Sequence, residues 1–273
     1  MKQALCLLLI ILNFPSQGQT ISQAYVFGNQ EFEAGRFASA IEVYQRVLFF
    51  DSTQTYSPSI YARIAHSLYT EKRYAEAANY YDLAYFSTDV DSLKTAYSLQ
   101  KIASLLFLKQ YSFAEVELLD MDTPLQIPSQ EKERLFYEGL TAYAQGQFST
   151  AEVAFKGLVS DTTTVHQLFR KNDRISKINP KKAKVLSMIL PGLGQLYVGD
   201  VKNGLNSMLL TGGLFYLGLR SALNTTFIEG TLSFLPWVQR YYQGGFQKAE
   251  RIAQEKIQEK RYELLGEILE TID

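Results

Sequence analysis

Residues 28–47 read GNQEFEAGRFASAIEVYQRV, and the pattern of this stretch recurs three more times at a constant spacing of 37 residues. Its aromatic position holds Phe37, Tyr74, Tyr111 and Phe148. Three residues further on, each copy has an alanine: Ala40, Ala77, Ala114 and Ala151. Seven residues after the aromatic stand Tyr44, Tyr81, Leu118 and Phe155, and nine before it stand Gly28, Ala65, Ile102 and Gly139. An apolar register held over four periods predicts a repeat architecture, in which each unit buries its face against the next.

Each unit is predicted to contain two helices. In the first unit, apolar residues recur every three or four positions over residues 22–34 and 37–50. The turn position between the two helices holds Gly35, Lys72, Lys109 and Gly146 in the four units. Glycine suits a helix C-terminus, so we expect a less tightly specified turn at the two lysines. The sequence therefore predicts an all-α solenoid over residues 19–160, with units near 22–50, 59–87, 95–121 and 132–159.

These offsets resemble the tetratricopeptide repeat family, whose unit has 34 residues. The three additional residues of each unit are expected between repeats, where Pro58, Pro124 and Pro128 interrupt helices. The third unit is degenerate, because Ile102 and Leu118 replace a small residue and an aromatic.

The resemblance implies that the first helices build an inner groove that binds a protein or peptide. The implied groove positions include Tyr25, Asn29, Phe32, His66, Tyr69, Leu106, Phe107, Phe136, Leu140 and Tyr143. The implied positions contain no Lys or Arg, which disfavours a clamp for a C-terminal carboxylate and favours an apolar or aromatic peptide. The alternative is that several of these side chains serve only as interior packing.

The N-terminus has the features of a secretory signal peptide. In residues 1–18, Lys2 precedes an apolar core at 4–12, and small residues stand before a cut after Gly18. The single cysteine, Cys6, falls inside the segment that would be removed. The mature chain is therefore expected to be exported and to lack disulfides.

Charge is unevenly distributed along a chain whose formal net charge is -1. Residues 19–165 contain 11 basic and 18 acidic residues, whereas residues 170–184 contain seven basic residues against Asp173. The basic run is local and lies in residues 161–184, where we expect a capping helix and a linker. Such a run suits lipid or an acidic partner, and it does not indicate a nucleic-acid-binding face.

The C-terminal third is unusually poor in charge. Residues 185–199 and 203–219 contain no charged residue, and 221–239 contain only Glu229. Their length and composition predict a membrane-embedded helical hairpin within residues 185–243. A fully buried soluble hairpin is the alternative. An amphipathic helix is predicted over residues 244–273.

Residues 190–199 read LPGLGQLYVG, and this segment resembles a motif of small bacterial membrane domains made of two transmembrane helices. The residues that carry the resemblance are Pro191, Gly192, Gly194, Gln195, Tyr197, Gly199 and Gly204. Bacterial envelope proteins that join exported tetratricopeptide repeats to such a tail are similar in overall plan. That similarity implies an inner-membrane protein with its repeats in the periplasm. The basic run opposes this orientation, and repeats on the cytoplasmic face are the alternative.

Sequence patterns typical of enzymes are missing. The two histidines, His66 and His166, lie a hundred residues apart, and no His, Cys, Asp or Glu group has the spacing of metal ligands. We therefore predict no catalytic, cofactor or metal site and no small-molecule substrate. The predicted function is a non-enzymatic, membrane-anchored scaffold that binds a protein or peptide. The alternative is an accessory part of a membrane transport or assembly machine in which the hairpin is active.

Overall fold

A computed structural model describes residues 19–121, 124–224 and 227–272, without the side chains of 222, 224 and 227–234. Every regular element in these ranges is an α-helix, which confirms the all-α class for the described chain. The predicted signal segment, residues 1–18, lies outside the described residues. The chain divides after Leu158 into two compact units.

The first unit consists of four successive helix pairs. Their bounds are α1 Ile21–Glu33, α2 Phe37–Phe50, α3 Ser57–Thr70, α4 Tyr74–Phe86, α5 Asp91–Phe107, α6 Tyr111–Leu119, α7 Pro128–Gln145 and α8 Phe148–Lys156. Each helix packs against the next one along the chain, and α5 also packs against α7. The 37-residue register marks the same buried position in every copy, since Ala40, Ala77, Ala114 and Ala151 are all fully buried.

All four turns inside the pairs share one backbone conformation. Gly35, Lys72, Lys109 and Gly146 all have positive φ, between 58° and 80°. In each turn the next N–H donates to a carbonyl five residues earlier, as Arg36 does to Glu31 and Arg73 does to Leu68. This is the hydrogen bond of a left-handed helix terminus. The lysines therefore do not loosen the turn as expected, since the same hydrogen bonds hold it in every unit.

A small residue faces a large one inside the first and fourth helix pairs. A Cβ atom at Gly28 would lie 2.8 Å from the ring of Tyr44, and one at Gly139 would lie 2.5 Å from the ring of Phe155. Both rings are fully buried. In the third pair the two positions hold Ile102 and Leu118, which belong to one buried cluster. The exchange keeps the contact filled, so the degenerate unit keeps its packing.

The connections between pairs are organised by polar and proline residues. The carboxylate of Asp51 accepts hydrogen bonds from the N–H groups of Thr55, at 3.1 Å, and Tyr56, at 2.8 Å. Pro58 and Pro128 lie in the first turns of α3 and α7. There the missing N–H costs nothing, so these prolines begin helices.

The second unit is also helical. It comprises α9 Thr162–Ile175, α10 Pro180–Ile189, α11 Leu193–Tyr197, α12 Val201–Asn224 and α13 Phe227–Ile272. Four helices, α9, α10, α11 and α12, pack against α13. Ion pairs join Lys171 to Glu267 and Lys184 to Glu250 across these contacts. Two lysines of the basic run thus have acidic partners on α13.

The long helix α13 differs from the expected arrangement. The sequence predicted a separate amphipathic helix over residues 244–273, whereas one helix continues from Phe227 through Gly244 and Gly245 to Ile272. Ala249, Ala253, Leu264 and Ile268 on this helix are buried, so tertiary packing holds it through the two glycines. Among the described helices, none is both long enough and apolar enough to cross a bilayer.

Glycine at the two lysine turns should raise stability. Lys72→Gly and Lys109→Gly each remove a side chain from left-handed backbone, so we expect the free energy of unfolding to rise by roughly 0.5–1 kcal/mol. Urea denaturation measures the change. Lys132→Gly, inside α7, is the matched control and should lower stability by about 1 kcal/mol. A fall in stability for all three variants would contradict the shared turn.

Acid should weaken the first unit through Glu31. Arg36 donates to both oxygens of this buried carboxylate, at 2.8 and 2.6 Å, and lowers the pKa of Glu31 to about 2. A depressed pKa contributes stability that is present above the ordinary value near 4.5 and is lost as the pH falls towards 2. Glu31→Gln should therefore flatten the pH dependence of the unfolding free energy in that window. If urea denaturation shows the same loss of stability below pH 4.5 with and without Glu31→Gln, this contribution is ruled out.

Candidate functional site

Aromatic side chains cluster at the turn end of the first two helix pairs. Phe32 at the end of α1 packs edge-on against Phe37 of α2, with ring centroids 5.8 Å apart. His66 of α3 lies 5.6 Å from Phe32 and 6.4 Å from Phe37. The next pair thus contributes a ring to the cluster of the pair before it, and His66 itself is exposed.

The same arrangement recurs one repeat later. Tyr69 packs against Tyr74 at 5.4 Å, and Phe107 of α5 stacks on Tyr74 at 4.6 Å with rings only 8° from parallel. Phe107 is 59% exposed. In the fourth pair, Tyr143 and Phe148 lie 5.2 Å apart in the equivalent positions. Two of the predicted groove residues, His66 and Phe107, therefore present ring surface to solvent beside clusters of the chain's own rings.

Other predicted groove residues are engaged inside the protein. The hydroxyl of Tyr44 donates to Asn29 Oδ1 at 2.8 Å. Tyr25 packs on Tyr56 at 4.6 Å, and its hydroxyl lies 3.0 Å from Ser59 Oγ. Both predicted residues are only half-buried, but their polar atoms already have partners. Asn29 is therefore occupied as an acceptor.

Apart from Phe107, the groove residues of the third and fourth pairs lie deeper. Leu106 packs against the buried cluster of Ile102 and Leu118. Phe136 contacts Tyr137, Leu140 is half-buried, and Tyr143 is only 8% exposed. The structure thus brings Phe32 to His66 and Tyr69 to Phe107, whereas Leu106 and Tyr143 serve mainly as packing.

A cation that the sequence analysis missed lies beside the first cluster. The guanidinium of Arg63 stands 4.8 Å above the ring of Phe32, and it donates to Glu33 Oε1 at 3.1 Å. Its equivalents in the other units are Val26, Gln100 and Tyr137. Because the four units have chemically different residues at this position, the 37-residue pattern does not predict a cation there. Glu33 already pairs with this cation, which agrees with the absence of a carboxylate clamp.

A polar cluster continues along the same helices. Glu133 Oε1 accepts from Gln100 Nε2 at 3.1 Å and from the hydroxyl of Tyr137 at 3.0 Å. Burial, with a smaller effect of Glu133, raises the pKa of Tyr137. Burial raises the pKa of Tyr69, and the nearby Tyr74 and Glu133 raise it further. Both phenols therefore stay neutral at physiological pH, and this face combines aromatic rings with neutral hydroxyl and amide groups.

The spacing could have revealed the partners of the groove rings. Phe37, Tyr74 and Phe148 follow Phe32, Tyr69 and Tyr143 by five residues in every case. Five residues across a tight helix–turn–helix connection place both side chains at the same end of the pair. The sequence analysis assigned the second ring of each pair only to the core.

The glycine-rich motif of the second unit is a close-packing element. A Cβ atom at Gly194 would lie 1.9 Å from the carbonyl oxygen of Ala183, and one at Gly192 would lie 2.2 Å from that of Gly204. Gly192 and Gly199 also have positive φ, at the start and the end of α11. Pro191 precedes this short helix. Only glycine lets α10 and α12 approach α11 this closely.

Gln195 joins the same elements by hydrogen bonds. Its side chain is fully buried, accepts from Ser187 Oγ at 2.8 Å and donates to the carbonyl oxygen of Gly245 at 2.9 Å. Ser187 Oγ in turn accepts from the N–H of Gly194 at 2.9 Å. Tyr197 lies at the surface, where Lys182 stands 5.1 Å from its ring. The motif therefore fastens α10 and α11 to α13.

Metal-ligating side chains do not cluster in the described part of the chain. No group of three His, Cys, Asp or Glu side chains there could hold a metal ion. Comparison with protein-family models, with curated proteins and with solved structures gives no match.

Removing the amide of Gln195 should loosen the second unit. Gln195→Leu leaves the Ser187 hydroxyl without its acceptor in a buried place, which costs about 1–3 kcal/mol. We expect a lower urea midpoint and faster tryptic cleavage after Lys184 and Lys202, the nearest cleavable residues on either side of α11. Tyr197→Phe, whose hydroxyl makes only contacts of 3.4 Å, is the control and should change little. Equal stability of both variants would refute this role for the amide.

Proposed function

We propose that the first unit is a tetratricopeptide-type solenoid that binds a protein or peptide through its first helices. The observation that carries the proposal is the pair of ring clusters in which His66 and Phe107 remain exposed beside Phe32, Tyr69 and Tyr74. Rings held by neighbouring rings lose little freedom when a ligand packs on them, which favours binding.

The proposed ligand is an extended or helical segment with apolar or aromatic side chains. Rings supply contact area, while the amide of Gln100 and the hydroxyl of Tyr137, which both bond to the carboxylate of Glu133, add polar groups nearby. Arg63 is paired with Glu33, so a terminal carboxylate finds no unpaired guanidinium there. Selection by apolar side chains is therefore the better-supported mode.

We further propose that the second unit attaches the repeats to a membrane of a bacterial envelope, with the repeats exported. The support is that α12 exposes large apolar side chains: Leu205, Leu209, Leu210, Phe215, Tyr216, Leu217, Leu219 and Leu223. Contiguous apolar surface of this kind marks sites of contact with lipid or protein. Attachment would raise the concentration of a captured partner at the membrane.

Replacing the exposed rings should abolish peptide capture without unfolding the protein. Peptides are selected from a random phage-displayed library on the full chain, and their Kd is then measured for the double variant His66→Ala, Phe107→Ala. Loss of two half-exposed rings should weaken binding at least tenfold. Phe86→Ala is the matched control, because Phe86 is 81% exposed and lies on a second helix.

Two results would overturn the binding face. One is a peptide whose affinity falls equally in Phe86→Ala and in the double variant. The other is that selection on the unchanged protein enriches the same peptides as selection on the double variant. Circular dichroism and urea midpoints of all variants establish that the fold is retained.

A further inference from the structure

A polar cleft of about 370 Å³ lies between α12 and α13 in the second unit. Its lining comprises Gln195, Asn203, Asn206, Ser207, Leu210, Thr211, Arg240, Tyr241, Gly244, Gly245 and Lys248. The volume falls within the range of small-ligand pockets, which begins at about 300 Å³. Amide and hydroxyl groups thus line a recess beside a helix whose outer surface is strongly apolar.

The two cations of the cleft lie two turns apart on one face of α13. Arg240, Gly244 and Lys248 follow each other at intervals of four residues on α13, so they lie on one face of the helix. No heavy atom outside the helix backbone lies within 4 Å of a Cβ atom built at Gly244, which leaves space between the cationic side chains. Gly245 lies opposite Ser207, whose Oγ would be 3.0 Å from an added Cβ.

Charge distinguishes this cleft from the other two cavities. Lys101, which lines a cavity of the first unit, lies 2.7 Å from Asp82 and 2.5 Å from Glu117. In the neighbouring cavity of the second unit, Lys256 pairs with Glu259 at 2.7 Å. No carboxylate is among the residues that line the α12–α13 cleft.

The contacts of the two cations leave them able to receive an anion. Lys248 Nζ donates to the amide oxygen of Asn203 at 2.6 Å, and that amide is itself held by Asp200. An ammonium group has two further N–H bonds to donate. Arg240 is exposed and makes no ion pair with any residue that the structure describes.

We propose that this cleft binds a phosphate group between Arg240 and Lys248, with Asn206 and Ser207 as neutral donors. Arginine and lysine are the usual phosphate-binding side chains, and their hydrogen bonds to an anion are the strong ones. Leu210 and Tyr241, both near half-exposed, line the same recess and offer apolar contact to an attached organic group. The ligand is therefore a phosphate ester with an apolar part.

Two sources carry this chemistry: the headgroup of an anionic phospholipid and a small soluble phosphate ester. The inference concerns the second unit alone and is independent of the peptide-binding face. It also stands apart from membrane attachment through α12, because a soluble phosphate tests the cleft without a bilayer.

The experiment uses the full chain and two variants of equal charge. Flotation with vesicles of phosphatidylcholine, with and without phosphatidylglycerol, tests the lipid source. Calorimetric titration with phenyl phosphate, which carries an apolar ring, and with inorganic phosphate tests the soluble source. The double variant Arg240→Gln, Lys248→Gln should weaken whichever binding occurs by at least about tenfold.

The control is the double variant Lys260→Gln, Arg251→Gln, which removes two positive charges from the same helix outside the cleft. Loss of phosphatidylglycerol-dependent flotation in the cleft variant alone identifies a lipid headgroup. Loss of calorimetric binding in the cleft variant alone identifies a soluble ester. Binding that is absent in both assays, or that falls equally in cleft and control variants, overturns the proposal. Vesicle binding that needs no phosphatidylglycerol and survives in the cleft variant also overturns it, while leaving attachment through α12 intact.

Discussion

The first unit depends on one contact, the insertion of a large side chain from the second helix against a small residue of the first. At Gly28 and Gly139 the opposing rings of Tyr44 and Phe155 leave no room for even a methyl group. The contact fixes how near the two helices approach, and the shared left-handed turn fixes where the second helix begins. Because both constraints recur every 37 residues, one local geometry generates all four pairs.

The same constraint explains how much the sequence could predict. The helix bounds and the turn positions follow from the 37-residue register. Burial and helix termination depend on nearby residues, and residues of the same kind recur at these positions in most units. The degenerate third unit keeps the geometry because Ile102 and Leu118 exchange volume across the contact. Arg63 could not be predicted, because its place beside Phe32 depends on packing between neighbouring pairs and its equivalents differ in type.

The second unit was harder to predict for a different physical reason. A segment that lacks charge and is rich in glycine can form either an apolar surface or a close contact between helices. Composition alone does not separate these two outcomes. In the structure, Gly194 lies against the backbone of Ala183, and the amide of Gln195 bonds to Gly245 on the long helix. Those residues fix the packing of short helices, whereas α12 carries a long series of exposed apolar residues.

The groove residues show why packing and binding roles overlap in this fold. A ring that closes the end of one pair also needs support from the next, so Phe107 stacks on Tyr74 and leaves its other face open. The half-buried partner holds the exposed ring in one orientation, and the entropy cost of ordering it is met during folding. The same rings therefore stabilise the fold and preorganise the surface for contact. Its exposed members, His66 and Phe107, are the positions where the two roles separate, since their loss removes contact area while the half-buried rings keep the pairs together.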